Sequence, residues 1–555
     1  MLSRAKRIAL WCLVALLVLV GSGVLLADRL TPPATGKASY TLPIVPGQTA
    51  LDSEVEAILG RQPPGMTGTL LVPDGLDAFA ARALSARQAG RSLDLMYYIW
   101  HDDLTGRLLG REAWLAAERG VRVRLLLDDI NAVGKDPALM ALEAHRNIEV
   151  RVYNPFRNRS GIARLYEMLQ RVFSLNHRMH NKAWIADNRV AVVGGRNIGV
   201  EYFKASLDSN FHDLDLVLFG PAVQQASAIF DDFWNSPAVV PLSALAEPDL
   251  AAGRGVVASI RNEALSPAAR AYLDRVDASP TVRAYAAQGL TPFYSDDLRI
   301  ESDPPVKAGA ETREGWLVDT IMSTLDGAKR KALVVSPYFV PGTDGTATLT
   351  GMAKRGVQVG IVTNSLAAND VIAVHGGYSQ YRKPLLQSGV QLYEIRAEAV
   401  PSELPDAAVA PAAQAADTEA APPQREESRV PGSRVPGSSG SAASSGASLH
   451  TKAFVVDDAR GFVGSFNMDP RSATLNTEMG VFFDDPRIAA ALRDEYLHLA
   501  GPTLSNWVFL DKRSRVRWLD RVAEPAQVLD TEPESTAWQR LQARVFRWLP
   551  VESQL

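Results

Sequence analysis

Cysteine is almost absent from this sequence, since Cys12 is the only one among 555 residues. A single cysteine excludes an internal disulfide framework and any zinc or iron–sulfur site built from several thiolates. The apolar neighbours of Cys12 also argue against a reactive thiol. The chemistry of this protein must therefore come from other side chains.

An excess of positive charge is absent too, because 58 basic residues nearly balance 62 acidic ones and the formal net charge is -4. This balance gives no general attraction to a polyanion, so no nucleic-acid partner is expected. A hydrophobic content of 46% is typical of a globular chain. The length exceeds what one hydrophobic core fills, which predicts two or more domains or a duplicated one.

The N-terminus contains one long uncharged run, which extends from Ile8 to Ala27 and covers 20 residues. As a helix, this run is long enough to cross a hydrocarbon core of about 30 Å. Arg4, Lys6 and Arg7 precede it, so the positive-inside rule predicts a body on the far side of the membrane, which in a bacterium is the periplasm. A cleaved signal peptide is the alternative, but LLADRL follows the run instead of a small-x-small site.

The remaining chain is internally duplicated. SLDLMYYIW from Ser92 is followed by ERGVRVRLLLDD from Glu118, and KALVVSPYFVP from Lys331 is followed by KRGVQVGIVTN from Lys354. Short apolar runs with helical periodicity between them are typical of βαβ units. The sequence therefore predicts an α/β scaffold, present twice, with a buried, mixed but mostly parallel sheet flanked by helices in each copy.

The second copy contains an insert over 397–447, rich in Pro, Ala, Glu and Ser. Its composition cannot bury enough apolar surface to order itself, so we predict a disordered surface loop. A regulatory or lid role is the alternative, since the insert ends just before His450.

Lysine and histidine are scarce, with 12 Lys against 46 Arg and only 8 His. Both copies nevertheless contain the pattern HxK(x4)D at equivalent points. The residues are His180, Lys182 and Asp187 in the first copy, and His450, Lys452 and Asp457 in the second. Two such matches at equivalent points of the duplication, in a chain with so few of these residues, are not a coincidence of composition.

The motif chemistry suits an anionic phosphorus centre. In an extended segment, side chains at i and i+2 share one face, so an imidazole stands beside an ammonium. The ammonium would hold phosphate oxygens, and the imidazole would attack phosphorus or donate a proton. A phosphodiester is the substrate class that follows, and neither a metal nor another cofactor is required.

Further polar residues recur after each motif. Asn197 in GGRN and Asn467 in GSFN follow the next strand, where their amides could contact phosphate oxygens. Asp213 and Glu478 then stand at the head of another strand, and a carboxylate bonded to Nδ1 would fix a histidine tautomer. Asp215 is a rival to Asp213, because it is two residues further along the same face.

Other candidates have simpler interpretations. Asp187 and Asp457 complete the motif and join the catalytic set, although their positions at strand ends favour a structural hydrogen-bonding role. His177 and His212 are more simply polar neighbours than a catalytic pair. His375 could contact an acceptor or could lie in a loop or at a helix end.

The paired motifs, together with GGRN and GSFN, resemble the phospholipase D superfamily. Within it, NHRMHNKAWIADNRVAVVGGRNIGVEYF and TNSLAANDVIAVHGGYSQYRKPLL resemble the bacterial cardiolipin synthases, especially the cardiolipin synthase C type. The resemblance implies two pseudo-twofold-related α/β halves with both His-Lys pairs in one cleft. It also implies phospholipid substrates and a phosphatidyl-histidine intermediate, with His180 as nucleophile, His450 as acid and base, phosphatidylglycerol as acceptor, and phosphatidylethanolamine or phosphatidylglycerol as donor.

The predicted organisation has five parts. They are a membrane anchor over 1–30, a linker or stalk over 31–73, phospholipase D-like halves over 74–295 and 296–502, and a tail over 503–555. In the tail, one helical face carries Trp538, Leu541, Val545, Trp548 and Leu549, while Arg540, Arg544 and Arg547 lie elsewhere. An interfacial helix near anionic lipid fits this pattern, but packing of the apolar face against the body is the interpretation we favour.

Two other functions remain open. The same site would be a phospholipase D with water as acceptor, and a nuclease is disfavoured by the net charge. The non-enzymatic alternative is a lipid-binding scaffold with an inactive site. The presence of both complete motifs argues against it. The oligomeric state and any accessory protein cannot be predicted.

Overall fold

The computed structural model describes residues 36–132, 135–156, 167, 176–245, 250–307, 312–397, 448–549 and 552–555. The predicted anchor lies outside the described residues, as does the predicted insert apart from its first residue. Within the described ranges, no helix is both long and apolar enough to span a bilayer.

The first part of the chain builds a mixed sheet. Its strands are β1 (Thr67–Val72), β2 (Ser92–Tyr97), β3 (Arg122–Asp128), β4 (Ile148–Tyr153), β5 (Ala183–Ala186), β6 (Val190–Gly194), β7 (Phe211–His212), β8 (Asp215–Phe219), β9 (Val239–Pro241) and β10 (Phe293–Ser295). All except β7 join one sheet in the order β10-β1-β8-β6-β5-β2-β3-β4-β9.

The second part repeats this topology. Its strands are β11 (Leu298–Ser302), β12 (Lys331–Val335), β13 (Gln358–Asn364), β14 (Gln391–Ile395), β15 (Ser448–Leu449), β16 (Ala453–Val456), β17 (Arg460–Gly464), β18 (Met479–Asp484), β19 (Ser505–Leu510), β20 (Val516–Asp520) and β21 (Gln527–Leu529). The sheet order is β11-β18-β17-β16-β12-β13-β14-β19-β20-β21, and β15 pairs instead with β7 of the first part.

Helices pack against the faces of both sheets. They are α1 (Ala50–Leu59), α2 (Gly75–Gln88), α3 (Leu104–Glu118), α4 (Asp129–Ala132), α5 (Asp136–Glu143), α6 (Pro221–Trp234), α7 (Leu250–Asn262), α8 (Pro267–Ala278), α9 (Pro280–Ala286), α10 (Leu317–Asp326), α11 (Gly342–Lys354), α12 (Ile372–Ser379), α13 (Arg382–Gln387), α14 (Pro470–Thr474), α15 (Pro486–Leu499) and α16 (Ala537–Trp548).

The α/β class and the mixed character of the sheets are confirmed, but the prediction that most strand neighbours are parallel is wrong. Among the described strands of the two large sheets, only β2-β3-β4 and β12-β13-β14 pair in parallel, and the other neighbours are antiparallel. The reason is the connections, because a helical crossover joins the parallel strands whereas short turns join β5 to β6 and β16 to β17. The sheets are mixed.

The two sheets share one apolar core. Alternate residues of a strand face opposite sides, so Met96 of β2 joins this core while Leu95 packs under the outer helices of the first part. In β12, Leu333 faces the shared core and Val334 faces the outer helices of the second part. The two parts are therefore held together by buried apolar surface.

The predicted boundaries of the stalk and the tail need correction. Residues 36–73 are not a free linker in their described part, because Thr41 N–H donates to Asp231 at 2.7 Å and β1 belongs to the first sheet. Strands β19 to β21 likewise extend the second sheet beyond residue 502. The apolar runs in β1 and β19 are too short to show a clear alternating pattern in the sequence. These strands are recognised only from their pairing with neighbouring strands.

Candidate active site

The two histidine-lysine pairs stand at the same edge of their respective sheets. His180 and Lys182 immediately precede β5, and His450 and Lys452 immediately precede β16. Because β5 and β16 run antiparallel to β2 and β12, both pairs lie beyond the carboxyl ends of the parallel strands. In each pair the lysine Nζ donates to the carbonyl of its own histidine, at 2.7 Å for Lys182. Neighbouring imidazole and ammonium groups therefore arise from local chain geometry.

Each histidine is bonded to a carboxylate of the other half. The Nδ1–H of His180 donates to Glu478 Oε2 at 2.8 Å, and the Nδ1–H of His450 donates to Asp213 Oδ2 at 2.6 Å. The sequence indicated that Glu478 and Asp213 could orient histidines, but not that the pairing crosses between the halves. With Nδ1 as donor, Nε2 carries the lone pair on both rings.

Backbone pairing between the halves produces this crossing. Strands β7 and β15 pair in parallel with Leu449 opposite His212, and the N–H of His450 donates to the His212 carbonyl at 2.7 Å. On the other side, the N–H of His180 donates to the Thr477 carbonyl at 2.9 Å. The backbone of each histidine is thus bonded to the residue directly before the carboxylate of the other half, which brings that carboxylate next to the imidazole.

The site is buried, and burial sets its protonation. Burial lowers the pKa of His180 well below its usual value, and the nearby Lys182 and Lys452 lower it further. Burial followed by the charge of Lys452 lowers the pKa of His450 to about 3. Both imidazoles are therefore neutral near pH 7, which leaves a nucleophilic or basic Nε2 in each half.

The two carboxylates differ in basicity. Burial raises the pKa of Glu478 to about 7, although Lys182 and the hydroxyls of Ser465 and Ser472 favour the charged form. For Asp213, burial acts to raise the pKa, but the charges of His450 and Lys452 outweigh burial, so the pKa is lowered. The half-sites are therefore not electrostatically equal, despite their common topology.

The lysines are also perturbed. Burial lowers the pKa of Lys452 to about 8, with Asp213 and Glu478 opposing the shift. Burial also lowers the pKa of Lys182 well below its usual value. Two buried ammonium groups close together favour an anion between them, because its charge offsets their desolvation and mutual repulsion.

Aromatic rings hold the imidazoles, and sequence reasoning missed them. Tyr98 contacts His180 edge-on with ring centroids 5.0 Å apart, and Tyr202 contacts His450 in the same way at 5.2 Å. Phe211 stacks on His450 with centroids 5.4 Å apart. Tyr98 is the second residue of the YYIW segment that identified the repeat, and its place directly after β2 was a usable signal.

The asparagines have different environments. The Oδ1 atom of Asn197 accepts from Ile99 N–H at 3.2 Å, and its Nδ2 donates to the Tyr202 hydroxyl at 3.0 Å. Its amide is therefore engaged in holding Tyr202 near His450. Asn467 is buried, and its Oδ1 has no hydrogen-bond partner among the described residues. The phosphate-contacting role of both asparagines stays a prediction.

The two motif aspartates do not reach the histidines. The Asp187 carboxylate accepts backbone N–H bonds from Gly90, Arg91 and Ser92 at 2.9, 2.7 and 2.9 Å. Seven residues separate it from His180, roughly 20 Å of extended chain. Asp457 accepts three backbone N–H bonds in the same manner, from residues 329–331. Both carboxylates join the hairpin turn to the start of a neighbouring strand, so their inclusion in the catalytic set is not supported by their position.

Four other candidates have structural contacts. The carboxylate of Asp215, the rival of Asp213, lies 2.9 Å from Arg82 and 3.3 Å from Arg196. His375 is buried, and its Nε2 lies 3.4 Å from Glu532. The backbone of His212 pairs with β15, as described above, and burial lowers its side-chain pKa to about 4. His177 accepts from Asn154 Nδ2 through its carbonyl at 2.9 Å.

Among the described residues, one group has the composition of a cation site. His101, Asp103 and Glu201 have ligand atoms within 4.8 Å of one another. The Asp103 carboxylate accepts the N–H of Gly106 at 2.9 Å, which caps α3, and the N–H of Val200 at 2.8 Å. The Glu201 carboxylate lies 3.3 Å from His101 Nδ1.

Comparison with known proteins gives a consistent result. A family model described as cardiolipin synthase, PLD-like domain, matches residues 85–234, 321–404 and 421–500. Cardiolipin synthase C of Escherichia coli (strain K12) is 38% identical over 499 residues, which cover 89% of this chain and 97% of the relative. An uncharacterized protein of Helicobacter pylori (strain ATCC 700392 / 26695) is 30% identical over 501 residues, covering 88% and 90%.

A solved structure shares the fold. The phosphatidylserine synthase of Haemophilus influenzae Rd KW20 superposes with a TM-score of 0.54 at 13% sequence identity, covering 91% of this chain and 99% of that one. The mixed sheets and flanking helices described above are therefore a PLD-like α/β arrangement.

Proposed function

The chain belongs to the cardiolipin synthase, PLD-like domain family, and on that premise we propose that it transfers a phosphatidyl group between phospholipids and forms cardiolipin. The resemblance drawn from the sequence motifs is thereby confirmed at the level of the family. We propose phosphatidylglycerol as the acceptor and phosphatidylethanolamine or phosphatidylglycerol as the donor.

The observation that carries the proposal is the crossed pairing of His180 with Glu478 and of His450 with Asp213. Neither half contains a complete histidine-carboxylate pair, so a single catalytic centre requires both halves. One centre with two neutral imidazoles and two ammonium groups fits a phosphodiester that is attacked on one side and protonated on the other.

In the first step, Nε2 of His180 forms a bond to phosphorus while the bond from phosphorus to the headgroup oxygen breaks. His450 gives that oxygen a proton, and the headgroup alcohol leaves. The bound anionic phosphate raises the pKa of His450 from its value in the free site and allows it to carry this proton. Glu478 stabilises the positive charge that develops on His180.

In the second step, His450 takes the proton from a hydroxyl of phosphatidylglycerol. The freed oxygen bonds to phosphorus as the phosphorus–nitrogen bond to His180 breaks, which yields cardiolipin. Lys182 and Lys452 offset the charge of the five-coordinate phosphorus in both steps, and Asn467 adds an amide contact.

The organisation of the chain is part of the proposal. We assign 8–27 to a membrane anchor and the body to the periplasmic side. The first half includes β1, the second extends to β21, and a pseudo-twofold axis relates them; the common strand order supports this relation. The enzyme is thus attached to the membrane that contains its substrates.

The test uses the full chain in vesicles that contain phosphatidylglycerol and phosphatidylethanolamine with differently labelled headgroups. We expect cardiolipin together with one equivalent of released headgroup alcohol, whose label identifies the donor. His180→Ala and His450→Ala should abolish the product, whereas His498→Ala, at an exposed position in the last turn of α15, should retain it. Phosphatidic acid without cardiolipin would assign hydrolysis instead, and unchanged lipid would refute both enzymatic functions.

A further inference from the structure

The final helix of the chain, α16, exposes a row of large apolar side chains. The exposed fractions are 64% for Trp538, 48% for Leu541, 52% for Val545, 83% for Trp548 and 45% for Leu549. The sequence led us to favour packing of this face against the body, and that interpretation is wrong. We propose that this apolar row, with the arginines beside it, docks on the surface of an anionic lipid bilayer.

The orientation of α16 leaves this row free. At 100° per residue, the five apolar residues span about 100° of the helix circumference. Ala543 lies on the opposite side and is buried against α12, where a Cβ built at Gly376 would come within 2.7 Å of the Ala543 carbonyl oxygen. The small residues Ala543 and Gly376 therefore fix which face meets the protein, and the apolar row points away from it.

Charge selects an anionic membrane as the occupant. The helix Ala537–Trp548 contains Arg540, Arg544 and Arg547 but no acidic residue, in a chain whose net charge is -4. On the helical wheel all three arginines fall on one side of the apolar row. An amphipathic helix with arginines on its polar face and tryptophan and leucine on the other is the type that lies in the bilayer interface.

A second copy of the chain is a poorer partner for the same face. In a twofold contact the same patch meets itself, which would bring two sets of three arginines together. Tryptophan is also suited to the headgroup region, where its ring is buried and its N–H stays near water.

The position of α16 gives the docking a consequence for the proposed function. The helix packs on α12, which begins just after Asp370, and Asp370 accepts from the Tyr338 hydroxyl at 2.8 Å. Beyond α16, the Leu555 carbonyl accepts the N–H of Arg471 at 2.9 Å, and Arg471 bonds to Asn176 at 2.7 Å, close to His177. The charge of Arg471 also acts on His180, whose pKa it lowers. The C-terminal segment therefore borders the candidate active site, and docking of α16 would place that site beside the headgroups.

The test uses the full chain, with Cys12→Ser and Trp548→Cys, labelled at the new cysteine with an environment-sensitive fluorophore. In vesicles containing phosphatidylglycerol, we expect blue-shifted emission that is quenched by lipids with a doxyl group near the headgroup more than by lipids with one deep in the chain, because such helices enter only about 5–10 Å. A label at Leu265→Cys, which is 63% exposed as leucine, is the control and should not be quenched. Equal quenching at positions 548 and 265 would overturn the proposal. A blue shift at position 548 without doxyl quenching would also overturn it, because protein rather than lipid would then cover the apolar row.

Charge reversal tests the lipid preference. Arg544→Glu with Arg547→Glu should lower the equilibrium constant for docking, measured from the doxyl quenching at position 548, at least about 25-fold, because each arginine near an anionic surface contributes roughly fivefold. Arg270→Glu with Arg513→Glu changes the net charge equally at exposed positions elsewhere and should have no effect. Unchanged doxyl quenching at position 548 in the Arg544→Glu and Arg547→Glu variant would overturn the role of charge.

This inference can fail separately from the proposed function. His180→Ala should leave the depth of the label unchanged even though it abolishes transfer. The Arg544→Glu and Arg547→Glu chain should lose activity on vesicles but retain it on detergent-dispersed lipid. Normal activity on vesicles despite loss of label insertion would refute the link between docking and catalysis.

Discussion

The crossed pairing makes a residue of the second half responsible for the reactivity of a histidine in the first. Glu478→Gln is the perturbation that tests this, because the amide oxygen can still accept the Nδ1–H of His180 while the negative charge is lost. The hydroxyls of Ser465 and Ser472, which donate to Glu478 at 2.5 and 2.8 Å, can rotate to suit the amide. The variant should therefore fold and keep the ring orientation.

The magnitude follows from the geometry. Nδ1 and Oε2 are 2.8 Å apart, and both side chains are at least nine-tenths buried. With charge centres about 4 Å apart and an effective dielectric constant of about 20, the carboxylate stabilises an imidazolium by about 4 kcal/mol. That value corresponds to roughly a thousandfold in rate.

The assay is the single-turnover release of labelled headgroup alcohol by full-length protein, with trapping of the phosphatidyl adduct in a His450→Ala background. We expect Glu478→Gln to slow adduct formation about a thousandfold. Burial raises the pKa of Glu478 to about 7, so the carboxylate is charged above that pH and protonated below it. The wild-type rate should therefore rise with pH through about 7, and this limb should disappear in Glu478→Gln.

The control for this variant is Glu394→Gln, a fully buried glutamate of the second half that bonds to the Tyr378 hydroxyl and Trp518 Nε1 instead of a histidine. It should lower stability while leaving the rate per folded molecule within a few-fold of wild type. A folded Glu478→Gln protein that forms the adduct within about tenfold of the wild-type rate would refute the reasoning. An adduct that forms in His180→Ala but not in His450→Ala would reverse the assignment of the nucleophile.

Two further predictions concern the motif lysines and aspartates. Burial lowers the pKa of Lys452 to about 8, so its positive charge is present below that pH and is lost above it; kcat/KM should fall above about pH 8, and Lys452→Arg should remove this alkaline limb because a guanidinium stays charged. A limb that persists in the arginine variant would assign it to another group. Asp187→Ala deprives three backbone N–H groups of their acceptor and should lower the free energy of unfolding by about 3 kcal/mol or more in denaturant titrations, without changing the rate per folded molecule. Asp458→Ala, at a partly exposed turn position, is its control and should have a much smaller effect, and a large loss of kcat at unchanged stability in Asp187→Ala would return that residue to the chemistry.

Local pattern alone was enough for much of the scaffold. The βαβ units around Ser92 and Lys331 could be recognised because strand and crossover signals occupy short windows, and their spacing repeats. The strand direction in the rest of each sheet was misjudged, since β5 and β6 join through a turn of three residues and must pair antiparallel. A short apolar run carries no information about the direction of its neighbours.

Local sequence pattern also failed to predict how residues 36–73 and the C-terminal helix α16 pack. Residues 36–73 have the composition of a linker, yet β1 lies inside the first sheet, where it pairs with β8 on one side and β10 on the other. The apolar row of α16 is the opposite case, since its hydrophobicity suggested burial. The buried side of α16 instead carries Ala543, whose small side chain allows the helix to approach Gly376 of α12 closely.

The sequence by itself determined which residue types supply the chemistry: two histidine-lysine pairs, each followed by a carboxylate at the head of a strand. It determined this because each motif lies within a few residues of one strand, where local geometry is set by the chain. Only the tertiary structure decided the partners, since His180 and Glu478 are 298 residues apart. Asp213 and Asp215 are equivalent in the strand pattern, and the buried Arg82 and Arg196 bind Asp215 while Asp213 is left to His450. The pairing of β7 with β15 then makes two half-sites into one.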